Sequence, residues 1–204
     1  AAGYLSFRET LKILRTRCDA MQNAVTEGEG GMIAILGSRI EVIEKILLEN
    51  QKNFLVQIAN DNSIGQLVLS GSNNDLNNLI KVLKSNNIKN IRLPVSAPFH
   101  CSLMNKATKI MRAEVEKSLF VNGKNKLISN VTADEILNTD QLKKLLIDQI
   151  ENRVRWRESV INMINNGVNH FIEIGPGKVL SGLVKRINKT VKINTINNES
   201  DIKD

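Results

Sequence analysis

The stretch MIAILGSRIEVIEKILLEN, residues 32–50, places an apolar run of strand length directly before a helical pattern. MIAILG reads as a buried strand. SRIEVIEKILLEN has apolar residues three and four apart, and Ser38 and Glu41 stand at capping-box spacing. FLVQIAN and GQLVLSG then read as two strands joined through DNSI, SNNDLNNLIKVLKSNN as a second helix, and IKNIRLPV as a last strand. The order β-α-β-β-α-β within residues 28–96 predicts a ferredoxin-like split arrangement.

The flanking sequence predicts a larger α/β domain around this unit. Upstream, SFRETLKILRTRCDAMQNAV starts with a Ser6–Glu9 capping box, and Leu11, Leu14, Cys18, Met21 and Val25 mark its expected buried face. It ends in the glycine-rich connector TEGEGG. Downstream, CSLMNKATKIMRAEVEKSL is a long amphipathic helix with Met104, Ala107, Met111 and Val115 on one stripe, and KLISNVT reads as a buried strand. Two helices follow with a break near residues 152–155, then the strand HFIEIG, the short helix GKVLSGLVKRI and the strand TVKINTI. Strands alternating with helices predict a mainly parallel sheet. Residues 1–27 and 97–204 would form this large domain, with residues 28–96 inserted as the small subdomain. The opening AAG reads like the end of an earlier helix, so the chain is expected to be an excerpt of a longer one.

With 204 residues, 42% of them apolar, the chain can bury one substantial core or two modest ones. No apolar run reaches bilayer length and no signal-peptide pattern opens the sequence, so the cytoplasm is the expected compartment. Two cysteines, Cys18 and Cys101, make neither a disulfide framework nor a metal cluster. A net charge of +7 favours an acidic partner. Aromatic residues make up only 3% of the chain, which argues against stacking on single-stranded nucleic acid.

Candidate chemistry centres on LPVSAPFHCSLM, residues 93–104, where His100 follows a strand and stands at the mouth of a helix. Loops at strand ends of α/β sheets commonly line active sites, and imidazole moves protons near neutral pH. His170, behind the helix-ending NNG, reads as structural. Cys101 reads as a small buried residue rather than a nucleophile. Arg17 lies beside the expected buried face of its helix, and a guanidinium grips a carboxylate bidentately. EIGPGKVLSG lacks the spacing of a nucleotide-binding loop and reads as a tight turn whose helix start could offer amides to an anion.

Together LRTRCDAMQNAV, EGEGGMIAILG, GQLVLSG, LPVSAPFHCSLM, RVRWRESV and EIGPGKVLSGLVKRI resemble the bacterial malonyl-CoA:acyl carrier protein transacylases of fatty acid synthesis. The resemblance runs along the whole chain but only the later two-thirds of such an enzyme. The family's nucleophilic serine, in a G-H-S-x-G elbow, has no counterpart in these 204 residues. The resemblance implies an α/β-hydrolase-like acyltransferase domain carrying the small subdomain. It implies His100 as the catalytic histidine, Arg17 as the binder of the substrate's carboxylate, and Gln149 as the residue whose backbone carbonyl orients the histidine.

The implied substrates are malonyl-CoA and phosphopantetheinylated acyl carrier protein, with no cofactor, metal, nucleic acid or membrane required and a monomer as the complete form. Without the elbow serine these residues alone are expected to be inactive. Cys18 departs from the family's usual glycine and is expected to crowd the pocket floor. Ile64 stands where proline is common. The clusters Arg153, Arg155, Arg157 and Lys178, Lys185, Arg186 are expected to meet the acidic carrier. The alternatives are a non-catalytic fragment or scaffold, or a basic RNA-binding ferredoxin-like module.

Overall fold

In the computed structural model, residues 1–202 are described, and they form an α/β structure with two sheets. The first sheet joins β1 (Gly30–Leu36), β2 (Val56–Ser63), β3 (Gln66–Ser72) and β4 (Lys89–Arg92) in the order β2-β3-β1-β4. Every neighbouring pair in it is antiparallel, with Ile33 opposite Leu69 and Ala34 opposite Ile91. Helices α2 (Ile40–Glu49) and α3 (Asn73–Ser85) cover one face.

Alternation along a strand sends successive side chains to opposite faces. Ile33, Ile35, Leu67 and Leu69 therefore point toward α2 and α3, where they meet Ile43, Leu76, Leu79 and Leu83 in one buried cluster. Met32, Ala59 and Val68 point the other way and form a second cluster with Leu93 and Phe99. Both faces of β1 are thus buried, which is why MIAIL reads as a continuous apolar run.

The boundaries differ in two places from the sequence reading. α2 starts one residue later than a Ser38 cap requires: Arg39 is the N-cap and makes no side-chain cap bond, so the Ser38–Glu41 box does not form. β2 runs on through Asp61 and Ser63, and the turn is confined to Ile64 and Gly65, with Ile64 exposed at its tip. Register shifts in β2 admit the extra residues.

Outside this sheet, α1 (Phe7–Gln22) packs against α4 (Asn105–Lys117). Ser6 caps α1 through the Glu9 amide at 3.1 Å. The buried stripe of α4 is Met104, Ala107, Met111 and Val115, as its periodicity predicts. The buried side of α1 is instead Ile13, Ala20 and Met21, continued by Ala24. Leu11, Leu14 and Cys18 are exposed, correcting the expected face. A hydrophobic stripe shows which side of a helix is apolar; here the side touching α4 carries Ile13, Met21 and two alanines, and the leucine side faces out.

α5 (Thr139–Asp148) and α6 (Trp156–Asn165) are separated by residues 149–155, as the sequence indicated. β5 (His170–Ile174), α7 (Val179–Ile187) and β6 (Lys192–Ile196) form a parallel strand–helix–strand unit, with His170 opposite Lys192. This two-stranded sheet is the only parallel one among the described residues. KLISNVT is not a strand. Its one ladder contact is an isolated bridge from Ile128 to Glu135, because among the described residues no neighbouring strand offers it a continuous edge.

Candidate active site

Residues 93–99 leave β4 and cross the start of β1. Pro98 is buried there, and a Cβ on Gly30 would overlap its ring, so only glycine lets the two chains lie this close. Gln22 Nε2 on α1 donates to Ser96 Oγ at 2.6 Å, and the Ser102 amide donates to Gln57 Oε1 at 2.6 Å. The segment is held at both ends. Between these ties His100 adopts φ 59°, a left-handed conformation that side chains rarely occupy. Such strain persists only where surrounding contacts determine it, and it turns the imidazole away from α4 toward the end of α5.

His100 Nδ1 lies 2.9 Å from the carbonyl oxygen of Gln149, the C-cap residue of α5. A carbonyl only accepts, so Nδ1 carries the proton and Nε2 presents a lone pair. The last carbonyls of a helix lack intrahelical donors, and the helix end carries partial negative charge. Gln149 therefore both orients the ring and favours the imidazolium that forms when Nε2 takes a proton. Burial holds the His100 pKa below the ordinary 6.5, the Gln149 bond opposes this, and the positive charge of Arg17 adds to the lowering. The resting ring is neutral near pH 7.

Arg17 is half-buried on α1, and its Nη2 donates to Gln149 Oε1 at 2.6 Å. Burial pushes its pKa below the usual guanidinium value. Among the described residues no carboxylate lies within ion-pair distance of it. Arg17 and Gln149 line a cavity of about 390 Å³ whose other walls include Leu127, Ile136, Leu142 and Leu146. His100 opens instead onto a polar cleft of about 320 Å³ with Gln57, Glu151 and Arg153. Gln149 is the residue that joins the two. A neutral base, a desolvated cation without a counter-ion and an apolar wall suit an acyl group bearing a free carboxylate.

The remaining sequence candidates have structural partners. Cys101 is buried, its thiol donates to the Pro98 carbonyl at 3.1 Å, and burial raises its pKa, so it stays protonated. Cys18 is exposed and does not line the Arg17 cavity. His170 Nε2 pairs with Asn194 Oδ1 at 2.8 Å. Gly175 and Gly177 have φ of 137° and 94°, which makes the tight turn. The amides of Leu180 and Ser181 at the start of α7 are already taken by the Glu173 carboxylate at 3.0 and 2.7 Å, so these two are not free to hold an anion.

The cluster of Arg153, Arg155 and Arg157 is internally neutralised. Arg153 pairs with Glu44 and Glu158, Arg155 with Glu158, and Arg157 grips buried Asp61 with its nearest contact at 2.7 Å. Sequence reasoning missed Asp61, Gln57 and Gln22. Asp61 was hidden by ending β2 at Asn60; carrying the strand onward would have shown an acid at an inward position.

A model of the acyl transferase domain matches residues 1–201. A malonyl CoA-acyl carrier protein transacylase of Bacillus subtilis is 40% identical over 194 residues, which cover 94% of this chain and 61% of that protein. A solved transacylase of the same name from Clostridium perfringens superposes with a TM-score of 0.94 at 36% identity, covering 98% of this chain and 63% of that one. A malonyl-transacylase solved in complex with its type II polyketide acyl carrier protein has a TM-score of 0.92 at 32% identity, covering 98% of this chain and 65% of that one. The chain thus spans about three fifths of the length of these relatives. On the extent of these matches, the chain belongs to the acyl transferase domain family, among the malonyl-CoA:acyl carrier protein transacylases.

Proposed function

We propose that the full-length protein transfers a malonyl group from malonyl-CoA to the phosphopantetheine thiol of an acyl carrier protein. The observation that carries this reading is the convergence of His100 and Arg17 on Gln149. A serine on the family's elbow, outside these 204 residues, attacks the thioester carbonyl while His100 Nε2 accepts its proton. The tetrahedral intermediate collapses, His100 returns the proton to the departing CoA sulfur, and a malonyl-serine ester remains. The carrier's thiol then attacks this ester, giving its proton to His100, and the proton passes to the serine oxygen as it leaves. Arg17 pairs with the free malonyl carboxylate throughout. A serine–histidine pair oriented by a backbone carbonyl replaces the carboxylate of the usual triad.

The finer architecture follows the same reading. Residues 28–96 form a ferredoxin-like subdomain, and residues 1–27 and 97–204 belong to an α/β-hydrolase-like domain whose catalytic cleft lies at the seam. The order β2-β3-β1-β4, with two helices on one face, supports the first assignment. The parallel β5–α7–β6 unit supports the second. An acyl carrier protein as partner is supported by the neighbour solved with one.

The test compares malonyl and acetyl transfer in the full-length protein, because only malonate has a second carboxylate. Arg17→Ala is expected to cost malonyl transfer about 2–5 kcal/mol while acetyl transfer falls less, by analogy with truncating a buried charge pair. The measured quantity is the malonyl-to-acetyl ratio of kcat/KM. An unchanged ratio removes Arg17 from the substrate site. In the same assay residues 1–204 alone should acquire no stoichiometric malonyl label; a stable malonyl-serine adduct on them would contradict the assigned nucleophile.

A further inference from the structure

We propose that the side chain of Gln149 is a positioning residue for substrate choice. Its amide oxygen fixes the Arg17 guanidinium for a carboxylate, while its backbone carbonyl separately fixes His100. The proposal rests on the reading of Arg17 as the carboxylate binder and adds a group that acts through it.

Arginine offers five N–H donors in a planar fork, and a carboxylate uses two along one edge. The bond from Nη2 to Gln149 Oε1 uses one donor and fixes the plane, leaving a complete edge for a ligand. Gln149 is itself well anchored. Its amide donates to the Leu145 carbonyl at 3.0 Å, and its neighbours Ile147 and Ile150 are buried.

The chemistry of the side chain matters as much as its place. A glutamate here would hold the guanidinium equally well but neutralise it and repel an incoming carboxylate. The neutral carboxamide holds the cation without consuming its charge. Arg17 accordingly remains, among the described residues, a half-buried cation with no carboxylate partner, beside an apolar cavity. One residue thus sets the spacing between the proton acceptor and the carboxylate clamp.

The experiment measures kcat and KM for malonyl-CoA and acetyl-CoA in the full-length protein and in Gln149→Met, Gln149→Glu and Arg17→Ala. Gln149→Met, which keeps the chain length but loses the acceptor, should lower the malonyl-to-acetyl ratio about tenfold, mainly through the malonyl KM, as for loss of one hydrogen bond to a charged group. Gln149→Glu should lower it further, toward the Arg17→Ala value. Proton spectra of each variant against the parent, read at the His100 imidazole resonance, give an independent check of folding.

If Gln149→Met leaves the ratio unchanged or raises it while Arg17→Ala collapses it, the positioning role is overturned and the Arg17 reading stands. If Gln149→Glu keeps the parental ratio, the positioning role is also overturned. If both substrates slow equally and the His100 resonance is displaced, Gln149 only supports the fold and the proposal fails. If Arg17→Ala itself leaves the ratio unchanged, the underlying reading falls with it.

Discussion

His100 has its backbone fixed by one set of contacts and its ring by another. Pro98 on Gly30 and the Gln57 bond to Ser102 set the left-handed backbone, and the Gln149 carbonyl sets the tautomer. Its pKa lies below 6.5, so the neutral base persists into mildly acidic solution. Acylation in the full-length protein should therefore lose rate only as pH falls through a midpoint under 6.5. Arg17→Ala removes one cause of the lowering and should move that midpoint upward; a midpoint that stays still would separate the two groups electrostatically. The sign for stability is the same: the unfolded chain binds this proton more readily, so the stabilisation is present above pH 6.5 and lost as pH falls through the folded value. His100→Ala should slow single-turnover acylation by about 10²–10⁴-fold, the usual worth of a general base. A rate within about threefold of the parent would exclude His100 as the base.

Among the elements, β2 and the connection between α5 and α6 set the geometry of the site. Val154 exchanges two backbone bonds with β2, donating to Ala59 at 2.7 Å and accepting from Asp61 at 2.9 Å. Three residues later Arg157 grips Asp61. The connection that begins at Gln149 is thereby fastened to the small sheet. Asp61→Asn breaks a pair in which Asp61 is buried and Arg157 is 22% exposed, so the loss should fall near the lower end of the range for buried pairs, about 3 kcal/mol. Denaturant unfolding measures it, and a loss below about 1 kcal/mol would reduce the pair to a surface contact.

The helices and the small sheet were legible because periodicity and turn residues act locally: Met104, Ala107, Met111 and Val115 named their own face. The outward face of α1 and the absent KLISNVT strand were not, because each depends on what lies opposite. His100 was visible as one of two histidines, and Arg17 by its place beside an apolar stripe. The Gln149 carbonyl as acceptor for His100 was supplied by resemblance, since nothing in a carbonyl's own sequence marks it as an acceptor. The bond from Arg17 to the Gln149 side chain was not legible at all.

Across the whole molecule, the excess of seven positive charges is unevenly available. The arginines at 153, 155 and 157 are tied to Glu44, Glu158 and Asp61 and add little free field. Lys178, Lys185 and Arg186 are exposed around α7, and among the described residues Arg186 is engaged only by the neutral Gln66 side chain. An acidic carrier protein should be drawn to this second cluster. Lys185→Glu with Arg186→Glu in the full-length protein should reduce kcat/KM for the carrier several-fold at low ionic strength, and the difference should shrink as salt screens it. Acylation from malonyl-CoA should change much less. Equal carrier kinetics at every salt concentration would place docking elsewhere.

In the proposed reaction the group that orients His100 is a backbone carbonyl, at Gln149. No codon change deletes that oxygen, so a saturation screen would score a serine–histidine dyad however much the carbonyl contributes. Its weight becomes measurable only by altering the main chain. Replacing the peptide bond between Gln149 and Ile150 by an ester, through semisynthesis, would weaken the acceptor while leaving every side chain in place.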